Sequence, residues 1–312
     1  MEQKNWKWHR FNSSDDVKKM QQSINVDESQ FIREWLSEIK SNKSNSIKIE
    51  LINDEYYLLK GALVYDQNFN DEREYKIFHF YLTTETFITV DLDLSLFKNS
   101  DIEQMLRHIR NSKNSIDGFL LILKEILAEY LVKIDVFEGE LRELVWGIHN
   151  KNKTSILEKI YKRRHELLVW SNLLIPINEL IMAIEEIYLD VIHNNKIFMR
   201  TDKRIKRALY LINEYEHEVD SIINLEEVIS SHRGNEIMKT LTVMTAIFTP
   251  VMAWGALWGM NFKFMPELEW KYGYFVSLLI MTISMVSVYV YLKMKGWTGD
   301  LLKGKKKGAF FK

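Results

Sequence analysis

The chain has 312 residues, 46% hydrophobic and 27% charged, with a formal net charge of −1. That length suits two domains, or one domain plus a membrane module. The absence of cysteine excludes disulfides and thiolate metal sites.

The opening residues, Met1 to Asp16, are polar and charged and lack the apolar run of a signal peptide. Trp6 and Trp8, flanked by Lys7, His9 and Arg10, have the residue types that stack on bases. The acidic balance of the surrounding sequence argues against a nucleic-acid partner. Asp27–Lys40 is expected to be a helix capped by Asp27, with Phe31, Ile32, Trp35, Leu36 and Ile39 on one face. Ile47–Ile52, Tyr56–Tyr65, Tyr75–Leu82 and Phe87–Val90 have strand composition and length, with turn chemistry at Asn53-Asp54 and Asn68–Glu72. Asp101–Asn111 reads as a helix with Ile102, Leu106 and Ile109 aligned. Residues 1–115 are therefore expected to form a mixed α/β domain.

From Ile116 the pattern is helical almost throughout. Ile116–His149 is one long helix, ended by the turn Asn150-Lys151-Asn152. Thr154–His193 is a second, with Pro176 as a point of bending, and it ends near Asn194-Asn195. A third starts near Thr201 and has no strong stop before Pro250. A helix of about 60 residues would be roughly 90 Å long and needs partner helices. The histidines form no metal-binding spacing, and no P-loop or dinucleotide fingerprint is present, so an enzyme is not expected.

Two uncharged segments follow, Thr240–Phe262 and Tyr272–Leu292. Each has the roughly 20 residues needed to cross a bilayer core. Along the first, Asn235, Met238, Leu241 or Thr242, Thr245, Thr249, Met252 and Ala256 recur every three or four residues. Lipid cannot satisfy such a stripe, so it faces protein or water, unless each Thr simply bonds back to its own helix. Val243, Ile247, Phe248, Val251, Trp254 and Trp258 lie on the other faces, and Pro250 removes one backbone hydrogen bond mid-span. The second span holds only Ser277, Thr282, Ser284 and Ser287 as polar groups besides tyrosine. Its ends carry Tyr272, Tyr274, Phe275 and Tyr289, Tyr291, as aromatic belts do. The loop between the spans carries Glu267 and Glu269, either as a cation-attracting pair or as solvated acids balanced by Lys263 and Lys271. Residues 293–312 hold seven Lys and one Asp, net +6, which leaves residues 1–292 at about −7. A basic tail after an apolar span places the C-terminus in the cytoplasm, and two spans put the N-terminal 239 residues there too. Lys303–Lys307 would meet anionic lipid headgroups.

Asn235, Met238-Lys239, Leu241-Thr242, Ile247-Phe248, Pro250, Gly259-Met260-Asn261-Phe262, Met265-Pro266-Glu267-Leu268, Trp270 and Tyr272-Gly273-Tyr274 together resemble the CorA family of magnesium transporters. The resemblance implies an α+β fold: an N-terminal α/β cytoplasmic domain (1–115), very long stalk helices forming a funnel (116–239), and two C-terminal transmembrane helices with a basic tail (240–312; spans about 240–261 and 272–292). It implies a homopentamer in the cell membrane. Asn261, with Gly259 and Met260, would form an external ring holding hydrated Mg2+, and the Met238 and Leu241 rings an apolar constriction. Asn235, Thr245, Thr249 and Met252 would line the remaining path. Cytosolic Mg2+ would bridge acids between subunits, for which Asp202, Glu216 and Asp220 are candidates. The chain departs from the family pattern at Trp258, where Tyr is usual, and at Thr249, often Met. A transporter for Zn2+ or Co2+ with the same fold, and a membrane-anchored sensor or scaffold without a pore, are the alternatives.

Overall fold

A computed structural model describes residues 6–12, 29–39, 41–52, 56–99, 101–150 and 154–298. Asp27, Asn53-Asp54, Lys151-Asn152 and Lys303–Lys307 lie outside the described residues. The chain divides into two compact units, Met1–Ile223 and Asn224–Lys312.

The first unit is built on a five-stranded sheet: β1 (Lys7–Phe11), β2 (Ser46–Ile52), β3 (Tyr56–Gln67), β4 (Tyr75–Leu82) and β5 (Thr86–Val90). The order is β1-β5-β4-β3-β2, with β2 through β5 antiparallel in sequence and β1 parallel to β5. Alternation along the strands sorts the apolar side chains between two faces. Leu58, Tyr81, Ile88 and Val90 point to one face, where Ile32, Trp35, Leu36 and Ile39 of helix α1 (Ser29–Ile39) cover them. Leu59, Leu63, Phe78, Phe80, Leu82 and Phe87 point to the other and pack under the longer helices.

Those helices are α2 (Ile102–Arg110), α3 (Ser115–Asn150), α4 (Thr154–Ile187), the short α5 (Leu189–Ile192) and α6 (Lys196–Trp258). Phe119 of α3 sits 5.2 Å from the Phe80 ring and 5.3 Å from that of Phe87. Leu167, Trp170, Leu174, Ile177, Ile181 and Ile184 of α4 are buried in the same core. This explains why α4 is apolar enough to span a membrane and yet half of its most apolar stretch is buried in the protein.

β1 is an addition to the sequence reading. Three of its five residues are basic, and its pairing partner lies some eighty residues away. The two tryptophans hold it. The Trp6 ring is buried and donates from Nε1 to the Ser112 carbonyl at 3.1 Å. Gly118 permits this approach, since a Cβ there would lie 2.8 Å from the indole. Trp8 stacks on Phe87 and donates to Thr89 Oγ1 at 3.1 Å.

The expected helix Thr154–His193 is broken at Tyr188, whose backbone leaves the helical region (φ −120°, ψ 36°). Its buried hydroxyl lies 3.0 Å from both the Tyr57 and the Leu82 carbonyl, which fixes the residue to the sheet. α6 starts at Lys196 rather than near Thr201, because Asn195 Oδ1 accepts from the backbone N–H groups of Ile197 and Phe198. The helix is 63 residues long and runs through Pro250. In the second unit it is followed by the short α7 (Pro266–Glu269) and by α8 (Gly273–Met294).

Candidate functional site

The apolar part of α6 and the whole of α8 are long and apolar enough to cross a membrane, and only 6% of each apolar window is buried. Their exposure is uneven around the helix. Val243 is buried, and Ile247, Val251, Trp254 and Trp258 are half-buried, so they form one stripe of α6. This is the side turned to α8: Trp254 Nε1 donates to Ser284 Oγ at 3.2 Å. Trp258 stacks on Trp254 with ring centres 5.3 Å apart. Phe248, grouped with these residues in the sequence reading, is instead exposed. The Trp254–Ser284 bond went unread in the sequence; its only signals were an indole N–H in one span and a hydroxyl in the other, each needing a partner in an apolar surrounding.

Asn235, Met238, Leu241, Thr245, Thr249 and Met252 all lie on exposed α6 surface, with Met238, Leu241 and Met252 each about 60% accessible. Thr245 donates to the Leu241 carbonyl at 2.9 Å and Thr249 to the Thr245 carbonyl at 2.7 Å. Thr240 and Thr242 bond back one turn in the same way. The back-bonding reading of the Thr stripe is the one seen within a single chain. Each hydroxyl proton is committed to its own helix, while the oxygen lone pairs remain to accept.

The helix closes at Trp258, and Gly259 N–H donates to the Gly255 carbonyl at 2.9 Å. A Cβ on Gly259 would lie 2.9 Å from that same oxygen, closer than ordinary carbon–oxygen contact. Glycine is the residue that fits this tightened turn. Met260 N–H reaches the Leu257 carbonyl at 3.4 Å, and Phe262 N–H the Met260 carbonyl at 3.0 Å. Asn261 follows, exposed, and its carboxamide makes no hydrogen bond among the described residues. An amide left free at a helix exit can hold a ligand or its water shell without first breaking a bond in the protein. Glu269 ends α7 and is exposed; the Glu267 side chain lies outside what is described.

The three acids singled out on α6 do not come together within one chain. Asp202 pairs with Lys206 at 2.8 Å, Glu216 accepts from Ser171 Oγ at 3.1 Å, and Asp220 pairs with Arg164 at 3.3 Å. No group of three or more His, Asp or Glu suited to a metal occurs among the described residues.

A sequence model of the CorA-like Mg2+ transporter protein family matches residues 3–295. The magnesium transport protein CorA of Bacillus subtilis is 39% identical over 304 residues, covering 97% of this chain and 95% of that protein. The cobalt/magnesium transport protein CorA of Thermotoga maritima is 23% identical over 267 residues, 80% of this chain and 72% of that one. Among solved structures, the complete CorA magnesium transporter from Methanocaldococcus jannaschii superposes with a TM-score of 0.65 at 17% identity, over 94% of this chain and 90% of that one.

Proposed function

The chain belongs to the CorA-like Mg2+ transporter family, and from that premise we propose that it is a membrane transporter for divalent cations, carrying Mg2+ inward. The observation that carries this reading is the α6 stripe. Its threonine oxygens and the free Asn261 amide lie on surface that α8 does not cover. In a bilayer that surface needs protein or water, and copies of the same helix around an axis supply both. Five copies, the number the family resemblance implies, would gather the stripes into one path with α8 outside.

Mg2+ sheds water reluctantly and prefers octahedral oxygen ligands. A ring of neutral amide oxygens at Asn261, with the Gly259 and Met260 turn behind it, binds the hydrated ion through its shell. It releases the ion more readily than a ring of carboxylates would. Glu267 and Glu269 raise the local cation concentration outside. Met238 and Leu241 form an apolar constriction that closes by dewetting, and Asn235 gives a polar exit beyond it. Two charges moving inward through 100 mV gain about 4.6 kcal/mol, so no nucleotide is needed. The protein divides as 1–115, 116–239 and 240–312, lies in the cell membrane and keeps both termini in the cytoplasm. A regulatory Mg2+ at Asp202, Glu216 or Asp220 has to compete with Lys206, Ser171 and Arg164. Protease resistance that is indifferent to millimolar Mg2+ refutes that regulation.

A second reading keeps the path and changes the ion to Co2+; it is favoured by the name of the Thermotoga maritima relative. Reconstitution into liposomes holding a Mg2+-sensitive dye, with the interior negative, tests the main reading. The transporter gives potential-dependent uptake, and Co2+ competition ranks the ions. A scaffold anchored by two spans gives no uptake of either ion.

A further inference from the structure

The outward face of α4 carries Tyr161, Leu168, Ile175 and Met182, each between 52% and 60% exposed. They recur every seven residues, over about 30 Å of helix. On a straight helix such a row drifts by about 20° per heptad, so the surface that covers all four is another helix wound along it. Lipid does not suit this face, because Lys162, Arg164, His165, Glu179, Glu185 and Glu186 are exposed on the same helix. Within the chain α4 already has one helical neighbour matched by charge. It runs from basic (Lys159–His165) to acidic (Glu179–Glu186), and α6 runs from basic (Lys196–Arg207) to acidic (Glu214–Asp220). Ser171 meets Glu216 and Arg164 meets Asp220, which sets the two helices antiparallel.

The outer face of α6 repeats that charge order. Arg200, Lys203 and Arg207 are followed by Glu214 and Glu218, all exposed, with Met199 and Tyr210 among them at 51% and 62% exposure. At 3.6 residues per turn these seven side chains fall within about 100° of one another around the helix. We propose that this face of α6 in one copy packs antiparallel against the α4 row of a second copy. Tyr210 then lies on Ile175, with His217 beside Leu168 and Lys203 beside Met182, a step of seven on both helices. In the same register Glu179 meets Arg207 and Lys162 meets Glu218. The two surfaces differ, so every copy uses both, and such a heterologous contact closes into a ring when its rotation allows. This contact rests on the reading that copies gather about an axis, and both of its surfaces belong to the first unit.

The chain has no cysteine, so a pair introduced into the full-length protein in detergent reports a single contact. Ile175→Cys with Tyr210→Cys places two thiols within disulfide reach across the contact. Mild oxidation then yields a ladder of covalent multimers on a non-reducing gel. Co-expressed chains carrying one substitution each yield the covalent dimer, which an intrachain bond cannot produce. Each single variant alone stays monomeric on that gel. Both positions are exposed, so melting curves like that of the unaltered protein are expected. Glu179→Arg in the double-cysteine chain lowers the ladder severalfold, and adding Arg207→Glu restores it. Native mass measurement of the unaltered protein separates this contact from the reading beneath it. Several copies by mass with no ladder overturns the contact and leaves the transporter reading standing; a single copy overturns both. An equally abundant dimer from Tyr210→Cys alone also overturns it, since α6 would then meet α6.

Discussion

Asn261→Ala isolates the mouth of the proposed path. The side chain is exposed and makes no hydrogen bond, so its removal leaves the fold intact, with a stability change within about 0.5 kcal/mol. Its effect on the ion is expected to be larger. A net hydrogen bond contributes about 0.5–1.5 kcal/mol. Five amides sharing one hydrated ion at the low end of that range supply about 2.5 kcal/mol, equivalent to a roughly 70-fold change in occupancy. The variant should therefore need about two orders of magnitude more external Mg2+ for half-maximal uptake. The assay is initial uptake in proteoliposomes at fixed inside-negative potential, with melting temperature measured on the same preparation. Unchanged Mg2+ dependence would refute the argument. A variant that loses uptake only because it no longer assembles would leave the amide without a demonstrated role.

Further outcomes test neighbouring parts of the molecule. Gly259→Ala puts a Cβ 2.9 Å from the Gly255 oxygen, so the turn must shift at a cost of about 1–3 kcal/mol. Uptake should fall although Asn261 is present, and a normal Mg2+ dependence would show that the turn does not position the amide. Trp254→Phe and Ser284→Ala remove the bond between the two apolar helices. A double-mutant cycle on detergent-resistant assembly should give a coupling of about 0.6 kcal/mol, with about 1.7 as the ceiling; strict additivity argues against the contact. His79 is buried in β4, and desolvation lowers its pKa. The unfolded chain then binds the extra proton first, so this contribution is present above about pH 6.5 and is lost as pH falls through the lower folded value. The melting temperature should drop on acidification from pH 7 to 5, and His79→Asn should flatten that slope. An unchanged slope would assign the acid sensitivity elsewhere.

The sheet's four antiparallel strands were readable because β-branched and aromatic runs end at turn residues, as at Tyr75–Leu82. The helices Ser115–Asn150 and Lys196–Trp258 were readable from periodicity, with starts displaced by one to five residues. Strand Lys7–Phe11 was not, because its stability comes from Ser112, Phe87 and Thr89, all distant in sequence. The break at Tyr188 was hidden for the same reason: two carbonyls on other elements decide it. At the candidate site the sequence marked the residues of the α6 stripe. Which way each threonine proton points, and that Trp254 meets Ser284, depend on geometry that spacing does not encode. Of the acids at 202, 216 and 220, Asp202 has a readable i,i+4 partner in Lys206, whereas the partners of Glu216 and Asp220, Ser171 and Arg164, sit on another helix and carry no local signature.

The threonine geometry also bears on leakage of the smallest cation. Protons travel along water by Grotthuss exchange, and freely rotating alcohols in a channel wall can join that relay by donating and accepting in turn. Thr245 and Thr249 have each fastened their hydrogen to a backbone oxygen. If the proposed path is lined by this stripe, a wall so arranged would offer electron pairs to a passing metal and no mobile hydrogen to a proton wire, and the pH gradient across the membrane would not be drained through these side chains.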